Sequence, residues 1–260
     1  MLTAMLASCI KEDRSKCPCY LYVDLSRVDT NYITKIDLMT SGLSGTPAWT
    51  AVERSAIGDT VILAVNKEEI DFCAWGNLRG SAVDGPTRTI NARGDSLWSC
   101  YRRLSTRCED MYVTVEPERQ YIPVTIIVRG MIQNLSDIQP SLATVSNTLD
   151  FNSGATGDME RIYATEVRSP QASDGYYQFN TLMITQQSAT AATLELDFKS
   201  DGNPVKVSYP LGEKLLEIGE DISLSDQKPV IVDLVIGSGS VFFTIDVSGW
   251  TQHANIDITY

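Results

Sequence analysis

The sequence predicts an all-β protein built from β-sandwiches. Short stretches alternate between apolar and polar residues with a period of two, and turns rich in Gly, Pro, Asn and Asp separate them. No strand–helix–strand alternation occurs, so an α/β fold is not expected. With 260 residues, 43% hydrophobic and 21% charged, the chain is long enough for two domains with ordinary cores.

Three strands and two short helices are predicted in the first half of the chain. Residues 20–25 alternate cleanly, which indicates a strand with one packed face. Residues 61–65 form a continuous apolar run, which predicts a strand buried on both faces, and residues 111–115 are rich in β-branched side chains. Residues 48–57 and 97–104 are each predicted to form a short helix.

The second half reads almost entirely as strand. Apolar, β-branched or alternating patterns indicate strands over residues 124–128, 193–198, 230–236, 243–247 and 254–258. The turn sequences Asp201-Gly202-Asn203-Pro204 and Gly237-Ser238-Gly239 separate neighbouring strands and predict hairpins. Many short strands joined by such turns are typical of sandwiches.

The polar segment Glu116–Gln120 is the best candidate for a domain boundary. It divides the chain into an N-terminal sandwich at residues 20–118 and a C-terminal sandwich at residues 119–260, both of normal domain size. No internal sequence repeat relates the two parts.

The N-terminus resembles a bacterial lipoprotein signal. Leu6-Ala7-Ser8-Cys9 has a branched apolar residue, two small residues and then a cysteine, and a polar stretch follows. Small residues let a signal peptidase reach the bond before the cysteine, and the Cys9 thiol would accept the lipid. We therefore expect residues 1–8 to be the remnant of a signal peptide and residues 9–19 to be a lipidated tether.

The signal lacks one feature of secretory leaders. No Lys or Arg precedes the short apolar stretch, whereas such leaders begin with a charged region. We expect the natural translation start to lie upstream. The alternative is an ordinary N-terminus with a free cysteine.

Several motifs, in order, resemble one family. The lipobox is followed by Asp13, by Cys17-Pro18 and by the strand at 20–25; further along come Trp75-Gly76-Asn77, Asp110-Met111-Tyr112, and Phe242–Val247 ahead of Trp250. Together they resemble the FimB-type fimbrial anchor lipoproteins of Bacteroidales, also called fimbrillin-A associated anchor proteins. Cys19 departs from the family pattern, which usually has one cysteine next to this proline.

The resemblance implies two tandem transthyretin-like β-sandwiches behind a lipidated tether. It also implies a place in the outer membrane at the base of a fimbria, where the protein would hold the filament to the cell, support adhesion and limit filament length. The implied partners are the outer membrane, through lipid on Cys9, and a fimbrial stalk subunit.

Strand donation is the expected mode of stalk binding. An open sheet edge is completed when a partner supplies a strand. Stalk subunits of this class are thought to lose their first strand by proteolysis, but such a cut would detach this chain from a lipid on Cys9. We expect it to keep its first strand and to donate a C-terminal one, from residues 241–247 or 254–260. The alternating apolar candidates are Val241, Phe243, Ile245, Val247, Ala254, Ile256 and Ile258.

Five cysteines remain if Cys9 is lipidated, an odd number. Cys100 and Cys108 are close enough in sequence to bridge across a hairpin, so a disulfide between them is one expectation. Cys17 and Cys19 are too close for an easy bridge to each other. Without histidine or suitable spacing around them, a zinc site is not expected.

Composition argues against several function classes. The chain has 33 acidic and 21 basic residues, a net charge of −12, which disfavours binding to nucleic acid. It has one histidine, His253, and no spacing selects a catalytic pair of carboxylates. We expect no enzyme activity, cofactor, metal or small-molecule substrate. The alternative to an anchor is a surface lipoprotein whose sandwich binds a carbohydrate or a host protein, which an exposed aromatic platform would favour.

Overall fold

The computed structural model describes residues 17–42, 47–78, 89–91, 96–130, 135–150, 154–169, 175–237, 239–247 and 250–257. The N-terminal strands within these ranges are β1 (Cys19–Asp24), β2 (Lys35–Gly42), β3 (Ala48–Glu53), β4 (Thr60–Val65), β5 (Glu69–Gly76), β6 (Thr89–Asn91), β7 (Trp98–Ser105), β8 (Asp110–Thr114) and β9 (Glu118–Arg119).

The remaining described elements are strands except for one helix. They are β10 (Tyr121–Gly130), β11 (Leu135–Val145), β12 (Thr148–Asp150), β13 (Gly154–Thr156), β14 (Glu160–Tyr163), β15 (Thr165–Arg168), β16 (Tyr176–Ile184), β17 (Thr193–Ser200), β18 (Asn203–Tyr209), α1 (Leu211–Glu217), β19 (Val230–Ile236), β20 (Ser240–Val247) and β21 (Trp250–Asp257). The prediction of an all-β fold is confirmed.

The N-terminal sandwich pairs a three-stranded sheet with a five-stranded one. The strand orders are β4-β1-β8 and β3-β2-β5-β7-β9. Alternate residues of each strand point inward, so Leu21, Val23, Leu38 and Phe72 form a core with almost no exposed surface. Asn77, in the turn after β5, makes hydrogen bonds to the loop before β2 at the edge of this core.

Asn77 explains the Trp-x-Asn motif in structural terms. It adopts a left-handed backbone conformation with φ of 61°, which asparagine tolerates better than most residues. Its side-chain amide donates to the carbonyl oxygen of Tyr32 at 2.8 Å, and its carbonyl accepts from the backbone N–H of Thr34 at 2.9 Å. The motif therefore ties the end of β5 to the loop before β2.

The C-terminal sandwich is larger and contains α1. Its sheets have the strand orders β15-β16-β10-β19-β20-β21 and β14-β11-β17-β18. Their inner faces enclose the largest hydrophobic cluster, in which Ile126, Leu194, Val232 and Phe243 are fully buried or nearly so. Both predicted hairpins form, between β17 and β18 and between β19 and β20.

A fifth sheet among the described residues, with the order β13-β12-β6, joins the two parts of the chain. β6 comes from the N-terminal part and pairs antiparallel with β12, which follows the predicted boundary, so that Ile90 lies opposite Leu149. Both residues are buried in a cluster with Trp75. The boundary itself, between residues 118 and 119, stays a prediction.

Three local predictions are wrong. Residues 48–57 form β3 and a single 3-10 turn, and residues 97–104 lie almost entirely in β7, because sheet pairing on β2 and β5 outweighs weak helical propensity. Residues 61–65 are not buried on both faces: Ile62 is 55% exposed, since β4 is an edge strand with one face in solvent.

Candidate functional site: the first strand and the terminal hairpin

The first strand occupies a central slot in its sheet. β1 pairs antiparallel with β4 on one side and parallel with β8 on the other. The N–H of Tyr20 donates to the carbonyl of Glu109 at 2.7 Å, and the N–H of Val115 donates to the carbonyl of Asp24 at 2.9 Å. With Leu21 and Val23 fully buried, the slot is filled by the chain's own strand.

The C-terminal sandwich repeats this arrangement. β10 also lies between an antiparallel partner, β16, and a parallel one, β19. The relationship between β1 and β10 is invisible in the sequence, because the same pairing can be made by different apolar side chains. After β19, the chain adds the hairpin of β20 and β21 to the open side of the sheet.

β20 belongs to the core of its own sandwich. It is paired on one side with β19 and on the other with β21. Val241, Phe243, Ile245 and Val247 point inward and are essentially unexposed. The ring of Phe243 stacks on that of Tyr209, with centroids 4.4 Å apart and planes within 7°. Removing β20 would open this core.

β21 lies at the end of the sheet order. Among the described residues it pairs only with β20, so one row of its backbone N–H and C=O groups faces away from the sheet. The register places Ala254 opposite Phe243 and Ile256 opposite Val241. Ile258, the last residue of the predicted donor set, lies outside the described residues.

The structure places the cysteines of the predicted sites in different environments. Cys9 lies outside the described residues. Cys100 is buried within β7, Cys108 is exposed in the segment before β8, and the disulfide predicted between them stays a prediction. The sulfur of Cys108 instead lies 4.0 Å from that of Cys19. Sequence reasoning missed this pair because 89 positions separate its members.

The linker between the sandwiches is fastened to both of them. β9 adds a fifth strand to the N-terminal sheet through pairing with β7. Arg119 then exchanges two hydrogen bonds with Asp226: its N–H donates to the Asp226 carboxylate at 2.8 Å, and its carbonyl accepts from the Asp226 N–H at 2.9 Å. A force on one sandwich would therefore reach the other through these hydrogen bonds as well as through the covalent linker.

An aromatic surface covers the outer face of the three-stranded sheet. Tyr20, Tyr22 and Tyr112 lie there with Ile62, and we call these four residues the tyrosine face. The rings of Tyr22 and Tyr112 stack with centroids 4.8 Å apart, and Tyr112 is 76% exposed. The alternation of residues 20–25 indicated that Tyr20 and Tyr22 share the face opposite the core, but only the pairing of β1 with β8 brings the rings of Tyr22 and Tyr112 together.

The described residues contain no cluster of His, Cys, Asp and Glu suited to a metal ion. None of the helices in these ranges is long and apolar enough to cross a membrane.

Solved structures with similar folds include proteins from Porphyromonas gingivalis and from two species of Bacteroides. The fimbrial anchor protein Mfa2 from Porphyromonas gingivalis aligns with a TM-score of 0.63 at 13% identity, over 92% of this chain and 100% of its own. A candidate polysaccharide-binding protein from Bacteroides thetaiotaomicron aligns with a TM-score of 0.63 at 16% identity, over 91% and 98%. A candidate adhesin from Bacteroides ovatus reaches 0.59 at 14% identity, over 92% and 96%.

These structural similarities establish the fold, and a comparison with protein families establishes the family. No curated protein matches the chain. The family described as fimbrillin-A associated anchor proteins Mfa1 and Mfa2 matches residues 50–255, which is most of the chain. The resemblance seen in the sequence motifs is therefore confirmed, and the chain belongs to the family of fimbrillin-A associated anchor proteins.

Proposed function

We propose that this protein is an outer-membrane lipoprotein that anchors a fimbria to the cell surface at its base and so supports adhesion. Lipid on Cys9 would hold it in the membrane, and a stalk subunit would bind to its C-terminal strand. The observation that carries the proposal is that the chain's own β1 fills the first-strand slot, while β21 lies at a sheet edge. A family of structural anchor proteins also supports a role without catalysis.

Retention of β1 matters because the backbone that starts at Cys9 enters the folded protein through this strand. The segment from Cys9 to Cys19 can span at most about 35 Å when extended, and it leads directly into β1. A cut after β1 would leave the lipid on a short peptide that the backbone no longer joins to the rest of the protein. A central, fully paired β1 is what a lipid-anchored subunit requires, since any pull on the filament is resisted through this strand.

Donation by β21 is favoured over donation by β20. Releasing β21 breaks one ladder of backbone hydrogen bonds, with β20. Releasing β20 would break two ladders and uncover Phe243 and its neighbours. A partner with an open groove would restore the hydrogen bonds that β21 gives up, as in other complexes formed by strand addition.

Substitution of Cys9 tests the anchor. We expect Cys9→Ala, made in the full-length precursor, to take up no clickable fatty acid and to appear in the soluble fraction, because a thiol is required for acylation. Fimbriae of these cells should detach under shear. Cys17→Ala is the matched control, since Cys17 lies in the same segment and should be dispensable for labelling. Membrane-bound, unlabelled wild-type protein would contradict the lipoprotein assignment.

The tyrosine face supports a second candidate function, binding of a surface carbohydrate. Stacked, exposed aromatic rings suit the apolar faces of sugar rings. If this function operates, Tyr112→Ala should weaken binding to a polysaccharide about ten-fold, as measured by isothermal titration calorimetry against a panel of soluble polysaccharides. Tyr163→Ala is the control, because Tyr163 is also exposed but lies on β14 of the other sandwich. Absence of binding by the wild-type protein would remove this candidate.

A further inference from the structure

We propose that Cys19 and Cys108 form a disulfide that fastens β1 to the segment before β8. The inference rests on the proposed function in one respect, the location of the protein outside the cytoplasm, where disulfides persist. It goes beyond that function by assigning a covalent bond to the strand through which the anchor would be loaded.

The backbone already holds the two cysteines next to each other. Tyr20 follows Cys19 and lies opposite Asp110 in the parallel register, and its N–H bonds to the carbonyl of Glu109, the residue after Cys108. The two sulfur atoms are 4.0 Å apart. A bond of about 2.05 Å requires them to approach by about 2 Å, a distance that side-chain rotation at the exposed Cys108 can supply.

The order of the chemical steps follows from the two environments. Burial, reinforced by the sulfur of Cys108, raises the pKa of Cys19 to about 11, so its thiol stays protonated. Cys108 is exposed and can meet an oxidant, here a disulfide carried by an oxidoreductase of the cell envelope. Because the Cys19 thiol is buried and protonated while the oxidant can reach Cys108, Cys108 reacts first.

The reaction is a pair of thiol–disulfide exchanges. The Cys108 thiolate attacks one sulfur of the oxidant, forms a mixed disulfide and releases one thiol of the oxidant. Cys19 then loses its proton and attacks the Cys108 sulfur, which releases the second thiol. The two cysteines give up two electrons and two protons, and the oxidant disulfide is reduced to a dithiol.

The other described cysteines are less suited to this bond. Cys73 is fully buried, which raises the pKa of its thiol well above the usual value and keeps it unreactive. Cys100 is buried in the middle of β7. Cys17 is exposed, and as a residue two positions from Cys19 it is the natural competitor for Cys108.

The bond would change how β1 responds to force. Without the disulfide, β1 is retained only by hydrogen bonds and packing contacts, which a steady pull can break one after another. With it, a pull on the tether passes at Cys19 into the segment joining β7 and β8. β1 could then not leave its slot unless the disulfide were reduced.

Differential alkylation of the full-length protein, purified unreduced from cell envelopes, tests the inference. The protein is unfolded in guanidinium chloride without reductant and its free thiols are blocked with iodoacetamide. Disulfides are then reduced, and the released thiols are labelled with N-ethylmaleimide before peptide mass spectrometry. We expect the second label on Cys19 and Cys108, and a Cys19–Cys108 cross-linked peptide before reduction. Cys17→Ser should keep this peptide, and Cys108→Ser should lose it.

Thermal unfolding supplies a second measurement. The bond closes a long loop, so dithiothreitol should lower the Tm of the wild-type protein by roughly 5–10 °C and leave that of Cys108→Ser unchanged. Complete iodoacetamide labelling of Cys19 and Cys108, or a cross-link from Cys108 to Cys17 or Cys100 instead, would overturn the inference. The two proposals can be refuted independently. If the wild-type protein contains the Cys19–Cys108 cross-link but the Cys9→Ala variant still holds fimbriae to the cell, only the proposed lipid anchor is refuted.

Discussion

Removal of residues 250–260, which include β21, should abolish capture of the stalk subunit while the two sandwiches stay folded. A strand of this length brings several backbone hydrogen bonds to a partner, each with a net contribution of about 1 kcal/mol, so its loss should weaken capture by more than about a thousand-fold. The remaining chain should fold because β20 keeps its ladder with β19 and its buried face. The measurement is pull-down of stalk subunits from detergent-solubilised membranes.

The control for this truncation lies at the other end of the same sheet. Val167→Lys places a charge on β15, the opposite edge strand, where the side chain is 53% exposed. We expect stalk capture to be unchanged in this variant. Unchanged capture by the truncated chain would instead exclude β21 as the donor. Circular dichroism on both variants separates a loss of binding from a loss of folding.

The largest effect on stability is expected at Phe243. Phe243→Ala should lower the free energy of unfolding by about 3–5 kcal/mol, because it leaves a cavity in the core and removes the stacking on Tyr209. Phe242→Ala is the matched control: its side chain is the next one along β20 and is 48% exposed, so its cost should stay within about 0.5 kcal/mol. Guanidinium denaturation of the two variants measures the difference.

The same pair of variants distinguishes the two predicted donor segments. If β20 were the donated strand, its apolar side chains would be needed by the partner more than by this sandwich. Phe243→Ala would then weaken stalk capture strongly and cost less than about 1 kcal/mol in stability. A large loss of stability would support β20 as a core strand and leave β21 as the donor.

The tyrosine face shows which features of a candidate binding surface the local sequence pattern can predict. Alternation in residues 20–25 indicates which side chains point away from the core, because the period of a strand is two. It does not indicate which strand lies alongside. The stack of Tyr22 on Tyr112 depends on a parallel pairing between strands 90 residues apart. No local signal specifies such a pairing.

Local helix propensity also gave a wrong prediction where pairing between strands determined the secondary structure. Residues 97–104 have a weak helical pattern, yet β7 is held between β5 and β9 in the five-stranded sheet. Conversely, α1 was not predicted, because Leu211–Glu217 is too short to show a helical period. It forms where Leu211 and Leu215 can pack against the core of the second sandwich. In both cases, burial against distant strands outweighed the preference of the local segment.

The sequence by itself determined the all-β class, eight of the 21 described strands, the motifs of the anchor family and the expectation of a lipid on Cys9. These follow from residue type and from periodicity within single strands. Only the tertiary structure decided that β1 fills its slot, that β20 is a core strand and β21 an edge strand, that β6 crosses to β12, and that Cys108 meets Cys19. The physical reason is that each of these depends on which segments become neighbours, a choice made by the burial of whole faces across long stretches of chain.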